Sequence, residues 1–302
     1  MAITYLTGCS TEHTRTAGRD DLGLLATPAS SVAKQIEHYT AGGGWAADNG
    51  CFAETAARPF DRARWLDWLA ELADLNAVMG EERSILETCR FAVLPDVVGD
   101  PVATWERSAP WVDLVREMGY PVAIVAQDGL EALPDLVELV LEHADVLFLG
   151  GSTEWKLGPG AAELTRRAKA AGLAVHMGRV NSLKRLRYAE SIGCDSADGT
   201  FVGFAPEENV RRLFGWLDEL ALERIRTHTP APTAREADTM TDDNVRADRK
   251  RCPKCGLVKD RATGFTTRAN GRIFSWCKAC NLEYNRARRA TKRADQSPDD
   301  VG

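Results

Sequence analysis

Short apolar runs rich in β-branched and aliphatic residues recur along the first three-quarters of the chain, separated by stretches with helical spacing. Eight runs read as strands: 3–8 (ITYLTG), 22–28 (LGLLATP), 44–50 (GWAADNG), 90–96 (RFAVLPD), 122–128 (VAIVAQD), 146–151 (VLFLGG), 173–178 (LAVHMG) and 194–200 (CDSADGT). Between the third and fourth, residues 58–80 place Trp65, Leu66, Leu69, Leu72, Ala73 and Leu75 near helical spacing, with Pro59 at the start. Further helical segments are predicted at 30–40, 105–118, 130–143, 160–171, 182–192 and 206–226. Only 9–21 (CSTEHTRTAGRDD), between the first two strands, reads as a loop.

Strands alternating with helices predict a parallel sheet, and eight of them predict a closed (β/α)8 TIM barrel over residues 1–226. A doubly wound open sheet is the alternative. Its dinucleotide fingerprint is missing, because AGGGW (41–45) precedes a strand instead of following one. Gly42, Gly43 and Gly44 read as a flexible lead-in to the third strand.

The pattern stops at about residue 227. Residues 227–248 are rich in Thr, Pro, Ala and Asp without apolar period, and read as a linker. A small module follows at 249–293, and 294–302 reads as a disordered tail. The chain of 302 residues carries a net charge of −6, but residues 246–293 hold 15 Lys+Arg against 3 Asp+Glu, a local +12 that leaves −18 on the remainder. A basic tail on an acidic body predicts a polyanion partner for the tail. Hydrophobic content of 44% and charged content of 27% are ordinary for a soluble globular protein. No apolar run reaches the ~18 residues that span a bilayer. The N-terminus MAITYLTGCS lacks the basic flank and apolar core of a signal peptide. These features predict a cytoplasmic protein with no membrane partner.

Cys9, Cys51, Cys89 and Cys194 are scattered, whereas Cys252-x2-Cys255 and Cys277-x2-Cys280 form two CxxC pairs 21 residues apart. In a reducing compartment the paired pattern reads as metal rather than disulfide. Two such knuckles complete a tetrahedral four-thiolate site, closed and therefore structural, for Zn2+. The metal supplies much of the folding energy of so small a module, with Phe265, Phe274 and Trp276 packed around it. Its basic residues, among them Lys254, Arg272, Lys278, Arg286, Arg288 and Arg289, predict a grip on nucleic-acid phosphates.

In a (β/α)8 barrel the active site is built at the C-terminal ends of the strands. Those ends carry Asp48, Asp96, Gln127, Asp128, Gly150, Gly151, Met177, Gly178, Arg179, Asp195 and Asp198. Several carboxylates converging on one rim would repel each other unless the rim serves a purpose. Asp195 and Asp198 are three apart on an extended strand, so they point to opposite sides and only one faces the cavity. Two carboxylates across a cavity suit chemistry at a sugar carbon, one as nucleophile and one as acid and base.

The stretches DNGCF (48–52), VLPD (93–96), IVAQDG (124–129), FLGGSTEWKLG (148–158), VHMGRV (175–180) and GCDSAD (193–198) together resemble the tRNA-guanine transglycosylase superfamily. The likeness is greatest to its shorter phage and bacterial branch, which exchanges guanine in DNA for a 7-deazaguanine. The resemblance covers residues 1–226. It implies Asp198 as nucleophile, Asp48 as general acid/base and Asp195 as a supporting residue. It further implies base recognition by Asp96, Gln127 and the Gly150–Gly151 turn, with Met177 packed on the base. The reaction implied is a covalent exchange needing no ATP or redox cofactor, in which a 7-deazaguanine such as 7-cyano-7-deazaguanine replaces guanine at a flipped or single-stranded site. A helicase-like or other DNA-modification protein is a further expected partner, and the host cytoplasm the location if the chain is phage-encoded. The tRNA enzymes carry a cysteine-rich zinc subdomain after the nucleophile strand, and residues 199–227 contain no cysteine. That departure favours DNA over tRNA. The basic module resembles zinc ribbons found beside DNA-cutting HNH domains, without the HNH histidines. Alternatives are tRNA exchange, nucleoside hydrolysis with water as acceptor, and a DNA-binding accessory protein without catalysis.

Overall fold

The structure, a computed structural model, describes residues 2–8, 14, 18–30, 44–78, 85–228, 249–255, 257–267 and 273–281. Eight short strands lie in the predicted runs: β1 (Thr4–Thr7), β2 (Leu22–Ala26), β3 (Trp45–Ala47), β4 (Cys89–Val93), β5 (Val122–Ala126), β6 (Val146–Leu149), β7 (Ala174–Met177) and β8 (Ser196–Gly199). Each pairs in parallel with the next, and β8 pairs back onto β1 with Leu6 opposite Asp198. The sheet is therefore a closed barrel and not an open doubly wound one. The strands are buried on both faces, which is why they read as apolar runs rather than as alternating patterns.

The pleat divides the side chains into two layers. Leu6, Phe91, Val93, Val125 and Phe148 fill the lumen, with Phe91 and Phe148 edge to face at 6.3 Å. Leu24, Leu147, Leu149, Val175 and Met177 point outward into the core beneath the helices. The first described helix, α1 (Arg62–Val78), sets Trp65, Trp68, Leu69 and Leu72 on one buried face. The segment predicted as one helix at 105–118 is instead α2 (Pro101–Ser108), a 3-10 turn (Ala109–Trp111) and α3 (Val112–Glu117). Pro110 has no amide hydrogen to give the ladder, which breaks it there. The helix also begins earlier than predicted, where Asp100 Oδ1 accepts from the Ala103 amide and Pro101 takes the first helical position.

The other α-helices among the described barrel residues are α4 (Pro134–His143), α5 (Thr153–Lys156), α6 (Pro159–Ala170), α7 (Leu183–Ile192), α8 (Phe201–Phe204) and α9 (Pro206–His228). The single turns α5 and α8 have too few residues for a period to show. The helix predicted at 30–40 lies outside the described residues.

The chain divides into two compact units, Met1–Arg226 and Thr227–Gly302. In the second, β9 (Arg249–Arg251) pairs antiparallel with β10 (Val258–Asp260). The turn α10 (Arg261–Gly264) leads to β11 (Phe265–Thr267), which pairs antiparallel with β12 (Ile273–Cys277). Its buried cluster is Cys252, Phe265, Cys277 and Cys280. The side chains of Phe274 and Trp276, most of the linker predicted at 227–248, and the predicted tail lie outside what is described. Among the described residues no helix is long and apolar enough to cross a membrane.

Candidate functional site

A cavity of about 340 Å³ opens at the C-terminal ends of the strands, lined among others by Asp48, Asp96, Gln127, Gly150, Arg179 and Asp198. Five of the predicted site residues thus share one space, although they come from β3, β4, β5, β6 and β8 or the first residues beyond them. Asp48, Gln127, Gly150 and Asp198 continue the inward-facing alternation of their strands into the mouth, whereas Asp96 stands three residues past β4 and enters from the loop.

Asp198 is buried and faces the lumen on β8. Its Oδ1 lies 3.0 Å from His176 Nε2 and accepts the Arg179 amide hydrogen at 3.3 Å. Among the described residues none donates to Oδ2. The Arg179 amide reaches Oδ1 because Arg179 adopts a left-handed backbone, φ 60°, uncommon outside glycine. Its guanidinium meanwhile donates to the carbonyls of Gly150 and Gly151 and lies 4.7 Å over the ring of exposed Phe52. Gly178 permits this approach of β7 to β8, since a Cβ there would stand 2.8 Å from the Phe148 ring and 3.3 Å from Asp198 Oδ1.

Asp48 follows β3, its own amide donating to the Ala26 carbonyl at 2.7 Å. Burial, then Asp198 and Asp96, push its carboxyl up to about 7, against the backbone amides of Asn49 and Gly50, which favour the charge. Asp96 is also held above the usual carboxylate range, by burial first. Its Oδ1 accepts from Asn49 Nδ2 at 2.9 Å and its Oδ2 from Gln127 Nε2 at 2.7 Å. Gln127 Oε1 in turn accepts the Gly99 amide at 3.0 Å, which fixes the amide orientation. Each carboxylate oxygen has a second lone pair, so Asp96 keeps acceptor capacity toward a ligand.

Three predicted residues stand elsewhere. Asp195 points outward, paired with Lys169 Nζ at 2.8 Å and accepting the Val175 amide at 2.7 Å. It pins β7 to β8 and does not line the cavity; the three-residue spacing had already put one of the two aspartates outside. Met177 is buried in the layer beneath the helices, so it does not pack on a ligand in the lumen. The pleat gives its inward place to His176, one residue earlier. Gly151 does not line the cavity, and its amide donates to the Ala126 carbonyl at 3.2 Å, so it is not a free donor for a base. It is glycine for packing: a Cβ would fall 2.1 Å from Asp128 Oδ1 and 2.6 Å from the Trp155 ring. The Gly150 amide is committed to the same carbonyl at 3.0 Å.

Sequence reasoning missed His176; it placed Asn49 and Arg179 at strand ends, and Lys156 with Glu154 and Trp155 near the pocket, without giving them a role. His176 is fully buried, its Nδ1 2.8 Å from Ser196 Oγ. Alternation along β7 and β8 was the signal that could have found it. Lys156 is also buried and donates from Nζ to the Gly178 carbonyl at 2.5 Å. Burial, then Arg179, pull its ammonium down to about 7, with Asp198 opposing. Lys156 stands on the one-turn helix α5.

In the second unit the sulfur atoms of Cys252, Cys255, Cys277 and Cys280 all lie within 4.8 Å of one another, and this cluster can hold a metal ion. Cys255 Sγ is 3.8 Å from Cys277 Sγ. Four thiolates at ~2.3 Å around zinc stand about 3.8 Å apart, so the spacing suits that ion. The Cys277 amide donates to Cys252 Sγ at 3.2 Å, support that a thiolate ligand needs. Lys254 and Lys278 are exposed. Arg272, Arg286, Arg288 and Arg289 lie outside the described residues.

No family model and no curated protein matches the chain. Among solved structures it is similar to a mutant tryptophan synthase alpha subunit from the hyperthermophile Pyrococcus furiosus, at 15% identity and TM-score 0.44, over 73% of this chain and 97% of that one. It is similar also to tryptophan synthase from M. tuberculosis, at 16% identity and TM-score 0.44, over 72% and 90%. Likeness at this level says nothing about the chemistry of the cavity.

Proposed function

We propose that the barrel exchanges guanine in DNA for a 7-deazaguanine base, and that the four-cysteine module, folded around Zn2+, docks the DNA. The observation that supports this most is the pairing in one cavity of Asp48, raised to about 7, with Asp198, anchored through one oxygen only. One carboxyl is poised to carry a proton at neutral pH while the other presents an oxygen to the substrate.

In the first half-reaction Asp198 Oδ2 attacks C1′ of the deoxyguanosine. The C1′–N9 bond breaks, its electrons leave with the base, and Asp48 supplies the proton that neutralises it. Asp96 accepts from the donor edge of the guanine, and the remaining Gln127 N–H serves its carbonyl. In the second half, the 7-deazaguanine loses its ring N–H proton to Asp48. Its nitrogen attacks C1′, the C1′–O bond breaks, and Asp198 regains its charge. Atoms and charge balance without redox or nucleotide cofactor. A base inside a duplex cannot reach the cavity, so the target must be flipped or single-stranded. The basic module offers lysines to the phosphates, and its role is carried by their number rather than by any one residue.

The test is to incubate the protein with labelled 7-deazaguanine bases and either DNA or tRNA, then to digest and weigh the nucleosides. Label entering DNA supports the proposal. Label in tRNA alone reassigns the substrate, and free guanine without incorporation makes the enzyme a hydrolase. Asp198→Ala and Asp198→Asn should both abolish incorporation and the covalent DNA adduct, since an amide is a poor nucleophile. Deleting residues 228–302 should weaken DNA binding and flatten its dependence on salt while the barrel stays folded. Unchanged salt-dependent binding by the shortened chain would refute the docking role.

A further inference from the structure

Beneath Asp198 the lumen holds a buried polar chain, Ser196–His176–Asp198, between two strands. His176 lies between Ser196 Oγ at 2.8 Å from Nδ1 and Asp198 Oδ1 at 3.0 Å from Nε2. Its ring is packed against Phe148 at 4.5 Å and Phe91 at 5.0 Å between centroids. Strand register explains the contact, since His176 stands directly opposite Ser196 and two residues before Asp198's level. In this orientation both ring nitrogens have a partner. A histidine buried merely as filler needs partners for its nitrogens, but it has no reason to spend one on the cavity's nucleophile candidate.

We propose that His176 is a positioning residue for the exchange, which holds Oδ1 of Asp198 through Nε2–H so that Oδ2 faces the sugar, and that Ser196 selects the tautomer. This rests on the reading of Asp198 as nucleophile. A carboxylate only accepts, so Nε2 carries the hydrogen, and in the neutral ring Nδ1 then accepts from the Ser196 hydroxyl. During attack, charge leaves Oδ1 as the aspartyl ester forms. During release, charge returns to that oxygen as the C1′–O bond breaks. The donor therefore favours the second half-reaction, making Asp198 a better leaving group. Its loss should lengthen the life of the covalent intermediate rather than prevent it from forming.

The experiment compares His176→Gln with His176→Asn in the full-length protein. The glutamine amide nitrogen falls near the place of Nε2, whereas that of asparagine falls near Nδ1. Wild-type protein is first shown to form the DNA adduct and to exchange; failure there sinks the transglycosylase reading and not the role of His176 alone. The adduct is then accumulated without incoming base and chased with it. His176→Asn should release product about tenfold more slowly than wild type, the scale of losing one hydrogen bond to a charged group, with adduct accumulating. His176→Gln should recover most of that rate. Equal release by the two variants overturns the proposal. If neither folds, the 15N chemical shifts of His176 in wild-type protein decide: a hydrogen on Nε2 and none on Nδ1 supports it, and the opposite tautomer overturns it.

Discussion

The barrel and the four-cysteine module solve the same problem with opposite means. The barrel buries two apolar layers, one in the lumen and one beneath the helices. The module's described core is three cysteines and one phenylalanine. A structure with so large an apolar reserve can tolerate costly groups at its mouth, including two carboxyls held above their ordinary range and a buried lysine held below it. A structure with so little reserve makes its polar atoms the core. The lesson is that similar burial of a polar atom means different things in the two units: a cost carried at a cavity in the first, cohesion in the second.

The sharpest way to break the comparison is to deny the four-cysteine cluster its proposed metal. A chelator, or Cys277→Ser, should abolish the fold of the module, read as protease sensitivity confined to residues 249–281, while the barrel's melting transition stays in place. A barrel that melted with the module would show that the reserve is shared. Next comes the pH dependence of the barrel. Asp48 in the folded chain binds its proton up to about 7, whereas its ordinary value is 3.8. Between those values the folded state keeps a proton that the unfolded chain has lost. Its contribution to stability therefore falls as pH rises through that window and is level above it, by on the order of a few kcal/mol. Asp48→Asn should remove the slope, as read by denaturant titration at several pH values. The same proton is the one proposed to reach the leaving base, so single-turnover base release should decline as pH rises through about 7.

A smaller effect is expected at Asp195. Asp195→Asn loses the charge toward Lys169, a partly exposed pair, and should cost about 1 kcal/mol of barrel stability without altering exchange. Met177→Leu is nearly volume-conserving in the layer beneath the helices and should cost less than ~1.5 kcal/mol, with the affinity for base unchanged. A change in base affinity in that variant would return Met177 to the cavity.

The barrel was legible because strands buried on both faces stand out as apolar runs of strand length. Asp48, Asp96, Gln127 and Asp198 were legible because strand ends on one rim must meet once the sheet closes. What the pattern carried less well was facing. The alternation that separated Asp195 from Asp198 applies equally to β7, where it selects His176 over Met177, yet the resemblance pointed one residue further along. Single turns such as α5, which delivers Lys156, are too short for any period. Arg179 was visible at its strand end, but its left-handed backbone depends on contacts from two neighbouring strands and on Gly178, so no local pattern encodes it.

The pairing of β8 with β1 puts Asp198 on the seam where the first and last staves of the cylinder meet, with Leu6 alongside it and Tyr5 donating across to the Val180 carbonyl at 3.0 Å. The placing of Asp198 therefore depends on a join between segments that lie far apart along the chain. Under the proposed function, peeling the first stave away would disarm the site while the other seven still stood, so loss of exchange should run ahead of loss of helical signal as denaturant is raised. It also means that a growing chain has no closed cavity until its eighth strand has found its first.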